Sequence, residues 1–323
     1  MRTVAEQPHP TQAASAIVGR FAPSPTGALH FGSLVAATGS YCVARHGGGR
    51  WLLRMEDLDT PRVVPGAADQ ILSTLEALGF AWDGEILWQS RRQDAYAAAL
   101  ATLAERGLTY PCACSRREIL ASAPHPGEEG PVYPGICRAG LPAGRTARSL
   151  RVRVPEEPVT FTDGVYGRQV QYLGREVGDF VLRRADGLYA YQLAVVVDDA
   201  DSGVNQVVRG ADLLGSTPRQ IFLLRSLGLP VPDYLHLPLV LAEDGSKISK
   251  RHGLVPGTPD GGPLLTAALH WLGQPVPREL EQAPPPEILA WGTSHFDPSL
   301  IPPRRDGLAA QGTGSADFFA VPG

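Results

Sequence analysis

Residues 20–33 read RFAPSPTGALHFGS, in which a Pro/Gly turn is followed by a histidine and a glycine. A short apolar segment, AIVGRFAP (16–23), begins just before it, and HFGSLVAATGSYCVARH (30–46) follows with apolar residues at helical spacing. Glycines 47–49 end that helix, and WLLRMED (51–57) predicts a second strand. Strand, Pro/Gly turn, helix and strand within about forty residues form a βαβ unit, which predicts a parallel sheet.

Periodicity predicts further elements along the rest of the chain. Apolar residues at helical spacing predict helices at residues 68–80 and 92–107, and a Ser/Thr cap followed by Pro218 predicts another at 216–228. Runs rich in β-branched residues, among them LYAYQLAVVVDDA, predict strands. Strands are expected at residues 150–155, 159–163, 168–174, 188–200, 204–210 and 236–241, and one short helix at 263–273.

Composition limits the classes of protein to which the chain can belong. Its 323 residues, 43% apolar and 19% charged, suffice for two domains or for one α/β domain with an insertion. No apolar run approaches the ~18–20 residues that span a bilayer, and residues 1–15 lack the apolar core of a secretory signal. With a net charge of −4, a nucleic acid would have to bind a local basic face. We therefore expect a cytoplasmic protein without a membrane segment.

Two separate segments carry residues suited to binding phosphate groups. In the first, the Pro/Gly turn leads into a helix N-terminus, where free N–H groups attract phosphate oxygens and His30 can donate a hydrogen bond. Gly32 leaves room there for a flat base. In the second, DGSKISKRHG (244–253), Lys247 and Lys250 could neutralise a departing pyrophosphate. A helix corner with a capping histidine and a solvated basic loop are the ordinary alternatives.

Together the two segments resemble the signatures of the class I aminoacyl-tRNA synthetases. HFGS, which begins at His30, is similar to their HIGH signature, and KISKR, which begins at Lys247, is similar to their KMSKS signature. The motifs RMED at 54–57, VVDD at 196–199 and VRGAD at 208–212 narrow the resemblance to the glutamate branch. The resemblance implies a Rossmann-like catalytic domain that binds ATP.

The length of the chain beyond the basic loop distinguishes between the families of the glutamate branch. The resemblance covers about residues 17–255, and only about seventy residues follow Arg251, where glutamyl-tRNA synthetases carry a helical anticodon-binding region. With LHFGS and PGAA (65–68), this pattern resembles the glutamyl-Q tRNA(Asp) synthetases. The resemblance implies that L-glutamate is activated with ATP and Mg²⁺, and that the glutamyl group passes to queuosine in the anticodon loop of tRNA(Asp).

Glutamate carries two carboxylates and an ammonium group, so its pocket needs cations and an anion. Arg20 and Arg209 suit the carboxylates because a guanidinium binds a carboxylate through two hydrogen bonds. Glu56 suits the ammonium group, and Tyr191 can wall the pocket. The carboxylates of Asp198 and Asp199 could orient substrate groups or cap a loop, so we assign them no role in the site. The resemblance implies a glutamate site of Arg20, Phe21, Ala22, Pro23, Ser24, Glu56, Tyr191 and Arg209, an ATP site of His30, Gly32, Lys247 and Lys250, and catalytic roles for His30 and Lys250.

Three of the four cysteines form a further constellation. Cys112 and Cys114 are followed, after eighteen residues, by Tyr133 and then by Cys137, and three thiolates with a fourth ligand would suit tetrahedral Zn²⁺. The bare pattern leaves open whether Tyr133 or His125 is the fourth ligand, and whether the thiols are simply free. The resemblance implies that the three cysteines and Tyr133 bind one structural zinc ion. The remaining cysteine lies in an apolar helical run and is expected in the core.

The expected fold class is α/β, a Rossmann-like class I synthetase catalytic domain with a zinc-containing insertion and a short C-terminal extension. The insertion is indicated by residues 111–150, which are rich in Pro, Gly, Cys and Arg. The expected segments are a flexible arm at 1–15, a first Rossmann-like half at 16–110, the insertion at 111–185, a second half with the KMSKS-like loop at 186–255, and the extension at 256–323.

The expected partners are L-glutamate, ATP and tRNA(Asp) that carries queuosine, and we expect a monomer. Arginines of the insertion could meet tRNA phosphates or could simply be solvated. Three rival functions remain open at this point. They are a short glutamyl-tRNA synthetase that charges the tRNA 3′ end, a non-catalytic paralogue that binds glutamate or adenylate, and a nucleotidyltransferase of the same fold.

Overall fold

The computed structural model describes residues 16–122, 126–127, 130–240 and 261–304. It begins with strand β1 (Val18–Phe21), helix α1 (Phe31–His46) and strand β2 (Arg50–Met55). The two strands pair in parallel, which confirms the predicted βαβ unit. A short strand, β3 (Leu87–Trp88), extends this sheet beyond β2, also in parallel.

Two helices follow at the positions that periodicity predicts. Helix α2 (Ala67–Ala77) buries Ile71 and Leu75, and helix α3 (Gln93–Glu105) buries its apolar face in the core. The chain leaves α3 through Gly107, whose φ of 69° lies in the left-handed region that favours glycine.

The second parallel pair lies in the latter half of the chain. Strand β11 (Gln206–Gly210) pairs in parallel with β12 (Asp233–Leu237), and helix α7 (Thr217–Leu227) connects them. A hairpin of β8 (Val159–Asp163) and β9 (Gly167–Gln171) continues the sheet beyond β12. Strands 159–163 and 204–210 are therefore confirmed as strands of one sheet, in the order β11, β12, β8, β9.

The two sheets meet where β1 lies beside β11. The backbone N–H of Asn205 donates to the carbonyl of Val18 over 3.1 Å, and the side-chain oxygen of Asn205 accepts from the N–H of Val18 over 2.8 Å. The carboxyl ends of β1, β2, β11 and β12 consequently open on the same side of the molecule. In α/β sheets this edge is where ligands bind.

The prediction of a strand at residues 188–200 is wrong. Helix α6 (Tyr191–Asp201) occupies most of this stretch, and it buries every residue from 192 to 199. A helix buried on nearly all sides shows no amphipathic period, and its three consecutive valines, 195–197, imitate a buried strand. Packing against neighbouring helices overrides the β preference of the valines.

Residues 109–183, apart from the β8–β9 hairpin, form a small antiparallel sheet and a separate apolar cluster. Strands β4 (Thr109–Cys112), β7 (Ser149–Val152) and β10 (Val181–Arg183) pair in the order β10, β7, β4. The remaining elements here are helix α4 (Arg116–Ser122), the backbone pair β5 (Pro126–Gly127) and β6 (Gly130–Pro131), and helix α5 (Leu173–Glu176).

Two helices close the described part of the chain. Helix α8 (Gly261–Trp271) agrees with the predicted helix, whereas α9 (Pro285–His295) has no counterpart in the predictions. Both pack against α1, and a Cβ at Gly292 of α9 would lie 3.2 Å from the sulfur of Cys42. Cys42 is fully buried, as expected. None of the helices in the described ranges is long and apolar enough to cross a bilayer.

Candidate active site

A cavity of about 350 Å³ opens at the carboxyl ends of the four parallel strands. Its walls are the turn after β1, the first turn of α1, the residue after β2, the start of α6, and the ends of β11 and β12. The structure therefore brings together segments that are far apart in the sequence.

All eight residues expected in the glutamate site line this cavity, and so do two expected in the ATP site. They are Arg20, Phe21, Ala22, Pro23, Ser24, Glu56, Tyr191 and Arg209, together with His30 and Gly32. The other two ATP-site residues, Lys247 and Lys250, lie outside the described residues, and so does His125.

His30 caps the N-terminus of α1 at the wall of the cavity. Its backbone is extended, and its Nδ1 accepts a hydrogen bond from the N–H of Ser33 over 3.2 Å. The imidazole therefore lies against the first turn, where the positive end of the helix dipole favours an anion. Gly32 keeps this place open, because a Cβ there would lie 3.2 Å from the His30 ring.

One side of the cavity contains a buried network of alternating charges. The guanidinium of Arg20 donates to Asp199 over 3.2 Å, and that of Arg54 donates to the same carboxylate over 2.5 Å. Arg54 also donates to Glu56 over 3.1 Å. Burial by itself raises the pKa of Asp199, but the two guanidinium groups outweigh burial and lower this pKa to about 2. Asp199 is therefore ionised and fixes both arginines.

The carboxyl of Glu56 lies at the cavity end of that network. Burial raises its pKa, and the attraction of Arg54 only partly opposes this effect. A cation placed in the cavity would favour the ionised form. The hydroxyl of Tyr191, at the first turn of α6, lines the same space, and burial raises its pKa as well, so it is a hydrogen-bond donor at neutral pH.

Arg209 faces the cavity from the opposite side with neutral partners only. Its Nε donates to Nε2 of His236 over 3.1 Å, and its Nη2 donates to the hydroxyl of Thr217 over 2.8 Å. Its Nη1 is buried and has no partner among the described residues. Within the described ranges no carboxylate pairs with it, so its charge is available to a ligand.

The three cysteines and the tyrosine of the expected zinc site lie together. The sulfurs of Cys112, Cys114 and Cys137 are within 4.8 Å of one another. The hydroxyl of Tyr133 is 3.4 Å from the sulfur of Cys112 and 3.7 Å from that of Cys114, and the sulfurs of Cys114 and Cys137 are 3.7 Å apart. These atoms form a cluster that could hold a metal ion.

Arg151 lies against this cluster from the small sheet. Its guanidinium lies 3.8 Å from the centre of the Tyr133 ring and donates to the sulfur of Cys112 over 3.3 Å. Burial raises the pKa of Cys112, but hydrogen bonds from Tyr133, the backbone and Arg151 outweigh it and lower this pKa to about 7. The pKa of Cys114 is raised to about 11, mainly by burial.

The comparisons with known proteins agree with this geometry. Residues 16–257 match the family described as tRNA synthetases class I (E and Q), catalytic domain. The match includes both parallel strand pairs and the whole segment between them. The chain belongs to this family.

Curated relatives of this class I synthetase share more than half of their residues with it. The glutamyl-Q tRNA(Asp) synthetase of Geobacter sulfurreducens is 58% identical over 95% of this chain and 97% of its own length. The protein of the same name from Dechloromonas aromatica is 57% identical over 88% of this chain and 95% of its own length. That from Ectopseudomonas mendocina is 55% identical over 92% of this chain and 99% of its own length.

Solved structures of synthetases share the fold of this family member. A glutamate tRNA ligase from Elizabethkingia meningosepticum, solved in complex with its amino acid, matches with a TM-score of 0.72 at 25% identity, over 89% of this chain and 66% of its own. The glutamate-tRNA synthetase from Elizabethkingia anophelis gives the same score and identity, over 89% of this chain and 67% of its own. This confirms the α/β class I synthetase fold.

Several residues in or beside the cavity of this synthetase were not expected there: Asp212 lines it, Asp199 was left unassigned, and Arg54, His236 and Asp163 were overlooked. The VVDD motif contains Asp199, and RMED contains Arg54, so both motifs offered a signal. His236 lies inside the apolar run HLPLVL, where nothing in the sequence indicates its partners.

Proposed function

We propose that this chain activates L-glutamate with ATP and transfers the glutamyl group to queuosine in tRNA(Asp). Support for this specificity comes from relatives that carry the name glutamyl-Q tRNA(Asp) synthetase and are 54–58% identical. Membership of the class I synthetase family independently supports the activation of glutamate, because class I synthetases use ATP to activate an amino acid.

The pairing of the charged groups around the cavity is the observation that carries the choice of amino acid. Arg20 and Arg54 are held by the carboxylate of Asp199, whereas within the described ranges no carboxylate pairs with Arg209. Arg209 can therefore bind a carboxylate of glutamate, and the carboxyl of Glu56 can bind its ammonium group; Asp212 lines the cavity as well. Glutamine has no side-chain carboxylate, so at that end of the ligand it would leave Arg209 desolvated without an anion, which is costly.

In the proposed first step, a carboxylate oxygen of glutamate attacks the α-phosphorus of ATP. The new O–P bond forms the adenylate, and the bond between the α-phosphorus and the bridging oxygen of the β-phosphate breaks to release pyrophosphate. His30 donates to the phosphate oxygens at the start of α1, and Lys247 and Lys250 neutralise the leaving group. In the second step, a nucleoside hydroxyl attacks the acyl carbon, and AMP leaves.

We also propose that Cys112, Cys114, Tyr133 and Cys137 hold one structural zinc ion within the segment 111–185. Tetrahedral zinc with bonds of about 2.3 Å to sulfur places two sulfurs about 3.8 Å apart. The separation of 3.7 Å between the sulfurs of Cys114 and Cys137 is close to this value. Four protein ligands leave no position open for substrate, so the ion would stabilise the fold.

Charging of the tRNA 3′ end is the competing function, because the solved synthetases with the same fold are glutamate-tRNA ligases. Labelled glutamate separates the two. We expect label in tRNA(Asp) only when the tRNA contains queuosine, and no label in tRNA(Glu) or tRNA(Gln). Esterification of tRNA(Glu) would overturn the proposed acceptor but not the activation step.

Glutamate-dependent exchange of pyrophosphate into ATP tests the activation step by itself. We expect exchange with glutamate and Mg²⁺ in the absence of any tRNA, and none with glutamine. An enzyme preparation loaded with zinc that shows no exchange at high concentration would instead indicate a protein that only binds its ligands.

A further inference from the structure

Arg209 is held by a chain of buried side chains that reaches away from the cavity. Arg209 and His236 are direct partners in the register of β11 and β12, so their side chains lie on the same face of the sheet. On the side of His236 that faces away from Arg209, the ring nitrogen Nδ1 lies 2.6 Å from a carboxylate oxygen of Asp163, at the end of β8. His236 is fully buried, and Asp163 is 2% exposed.

The hydrogen-bond donors in this chain determine the tautomer of His236. A guanidinium can only donate, so Nε2 of His236 must carry a lone pair toward Nε of Arg209. The ring proton therefore lies on Nδ1 and is donated to Asp163. Asp163 is held in turn by the backbone N–H groups of Val165 and Tyr166, over 3.0 and 2.9 Å.

We propose that His236, kept in the Nδ1–H tautomer by Asp163, is a positioning residue that orients Arg209 toward the substrate without neutralising its charge. This inference rests on the proposed binding of glutamate. A carboxylate at position 236 would also accept from Arg209, but it would cancel the charge that the ligand needs. Arg20, on the other side of the cavity, is paired with an ionised carboxylate.

The neutral state of His236 is consistent with its surroundings. Burial lowers its pKa to about 4, and the nearby charges of Arg209 and Arg20 act in the same direction, against the opposing effect of Asp163. The Nη1 of Arg209 is then the one nitrogen of this guanidinium that is buried without a partner among the described residues.

Replacing Asp163 by Asn is the sharpest test, because it changes the tautomer without changing the volume. The amide oxygen of the new side chain would stay on the backbone N–H groups of Val165 and Tyr166, and its NH₂ would face Nδ1 of His236. The ring proton would then move to Nε2 and oppose the N–H of Arg209. We expect the KM for glutamate in pyrophosphate exchange to rise about 10- to 100-fold, the value of a hydrogen bond to a charged group, while the KM for ATP changes by less than about threefold.

Two further substitutions separate positioning from support of the fold. His236→Gln can place an amide oxygen near the former Nε2, so it should raise the KM for glutamate less than His236→Leu does. Val207→Ala is the matched control, because Val207 lies two residues earlier in β11 and packs in a core cluster away from the cavity. It should lower stability and leave the ratio of the two KM values unchanged.

Nitrogen NMR of protein labelled with ¹⁵N-histidine reads the tautomer independently of activity. The His236 signals are identified by their loss in His236→Gln, and we expect a protonated Nδ1 and an unprotonated Nε2, reversed in Asp163→Asn. A protonated Nε2 in the wild type, or an Asp163→Asn variant with unchanged KM for glutamate, would overturn the inference. Absence of exchange in the wild type would instead contradict the proposed function, and the NMR result would still decide the tautomer.

Discussion

At the scale of single residues, the cavity depends on how its arginines are partnered. Asp199 accepts from both Arg20 and Arg54, whereas Arg209 has only neutral partners. The types of residue needed for glutamate could be predicted from the sequence. Their partners could not, because Arg20 meets Asp199 across 179 positions and His236 meets Asp163 across 73. Such pairs follow from strand order and register, which no local pattern contains.

Replacing Asp199 by Asn should damage both stability and glutamate binding. The substitution leaves two buried guanidinium groups to share a neutral acceptor, and we expect the free energy of unfolding to fall by about 3–5 kcal/mol. Urea unfolding measures this loss, and pyrophosphate exchange measures an accompanying rise in the KM for glutamate.

The neighbouring carboxylate offers the control. Asp198 is also buried, but it accepts from Gln89, Tyr96 and Arg92, away from the cavity. Asp198→Asn should therefore destabilise the protein with little change in the KM for glutamate. Equal changes in KM for the two variants would show that Asp199 supports only the fold.

His236 should make the stability of the protein depend on pH. Its pKa is about 4 in the fold, against about 6.5 in an unfolded chain, so between these values the unfolded chain binds more protons and stability falls as the pH is lowered. The whole effect would be about 3 kcal/mol for a shift of this size. Asp163, Arg209, Arg20 and the stacked Tyr234 are the charged or titratable groups around the ring.

Urea unfolding of the wild type and of His236→Gln from pH 4.5 to 7.5 isolates this effect, because all other groups are shared. The wild type should lose more stability than the variant as the pH falls. Parallel curves would mean that His236 does not titrate in this window.

At the scale of elements, α1 shows how closely a local pattern can determine a structure. Its start at Phe31, its cap at His30 and its end before the glycines all follow from neighbouring residues. Helix α6 shows the opposite case. Its valines favour a strand, and only packing on nearly every side makes it a helix, which no periodicity could reveal.

Replacing Gly32 by Ala in α1 should separate helix stability from nucleotide binding. Alanine favours a helix by up to ~1 kcal/mol over glycine, and the backbone at this position is ordinary for any residue. The added methyl group would nevertheless lie 3.2 Å from the His30 ring and inside the cavity. We expect an unchanged or higher unfolding midpoint together with a KM for ATP raised several-fold. An unchanged KM for ATP would place the nucleotide elsewhere.

At the scale of the whole molecule, the cysteines of the proposed zinc site lie in a small apolar cluster apart from the two main core clusters, whereas Val152 and Leu182 of the small sheet pack in one of the main clusters. Removal of the proposed zinc ion should therefore destabilise the cysteine cluster first. In Cys137→Ser, we expect less than one equivalent of zinc by elemental analysis and a lower unfolding midpoint.

Cys42→Ala provides the matched control, because Cys42 is buried in the main core, away from the other three cysteines. This variant should retain one equivalent of zinc. Full zinc content in Cys137→Ser, or none in the wild type, would contradict the proposed metal site.

The contact between β1 and β11 joins residues 187 positions apart, and it affects how the protein is made. As the chain leaves the ribosome, β1 and β2 emerge early, but the neighbour that completes the sheet arrives only after about two thirds of the sequence has been translated. Until then β1 exposes a row of unpaired backbone groups, the kind of edge on which nascent chains aggregate. A ribosome that stalls before residue 205 would therefore release an aggregation-prone fragment and not a smaller active enzyme.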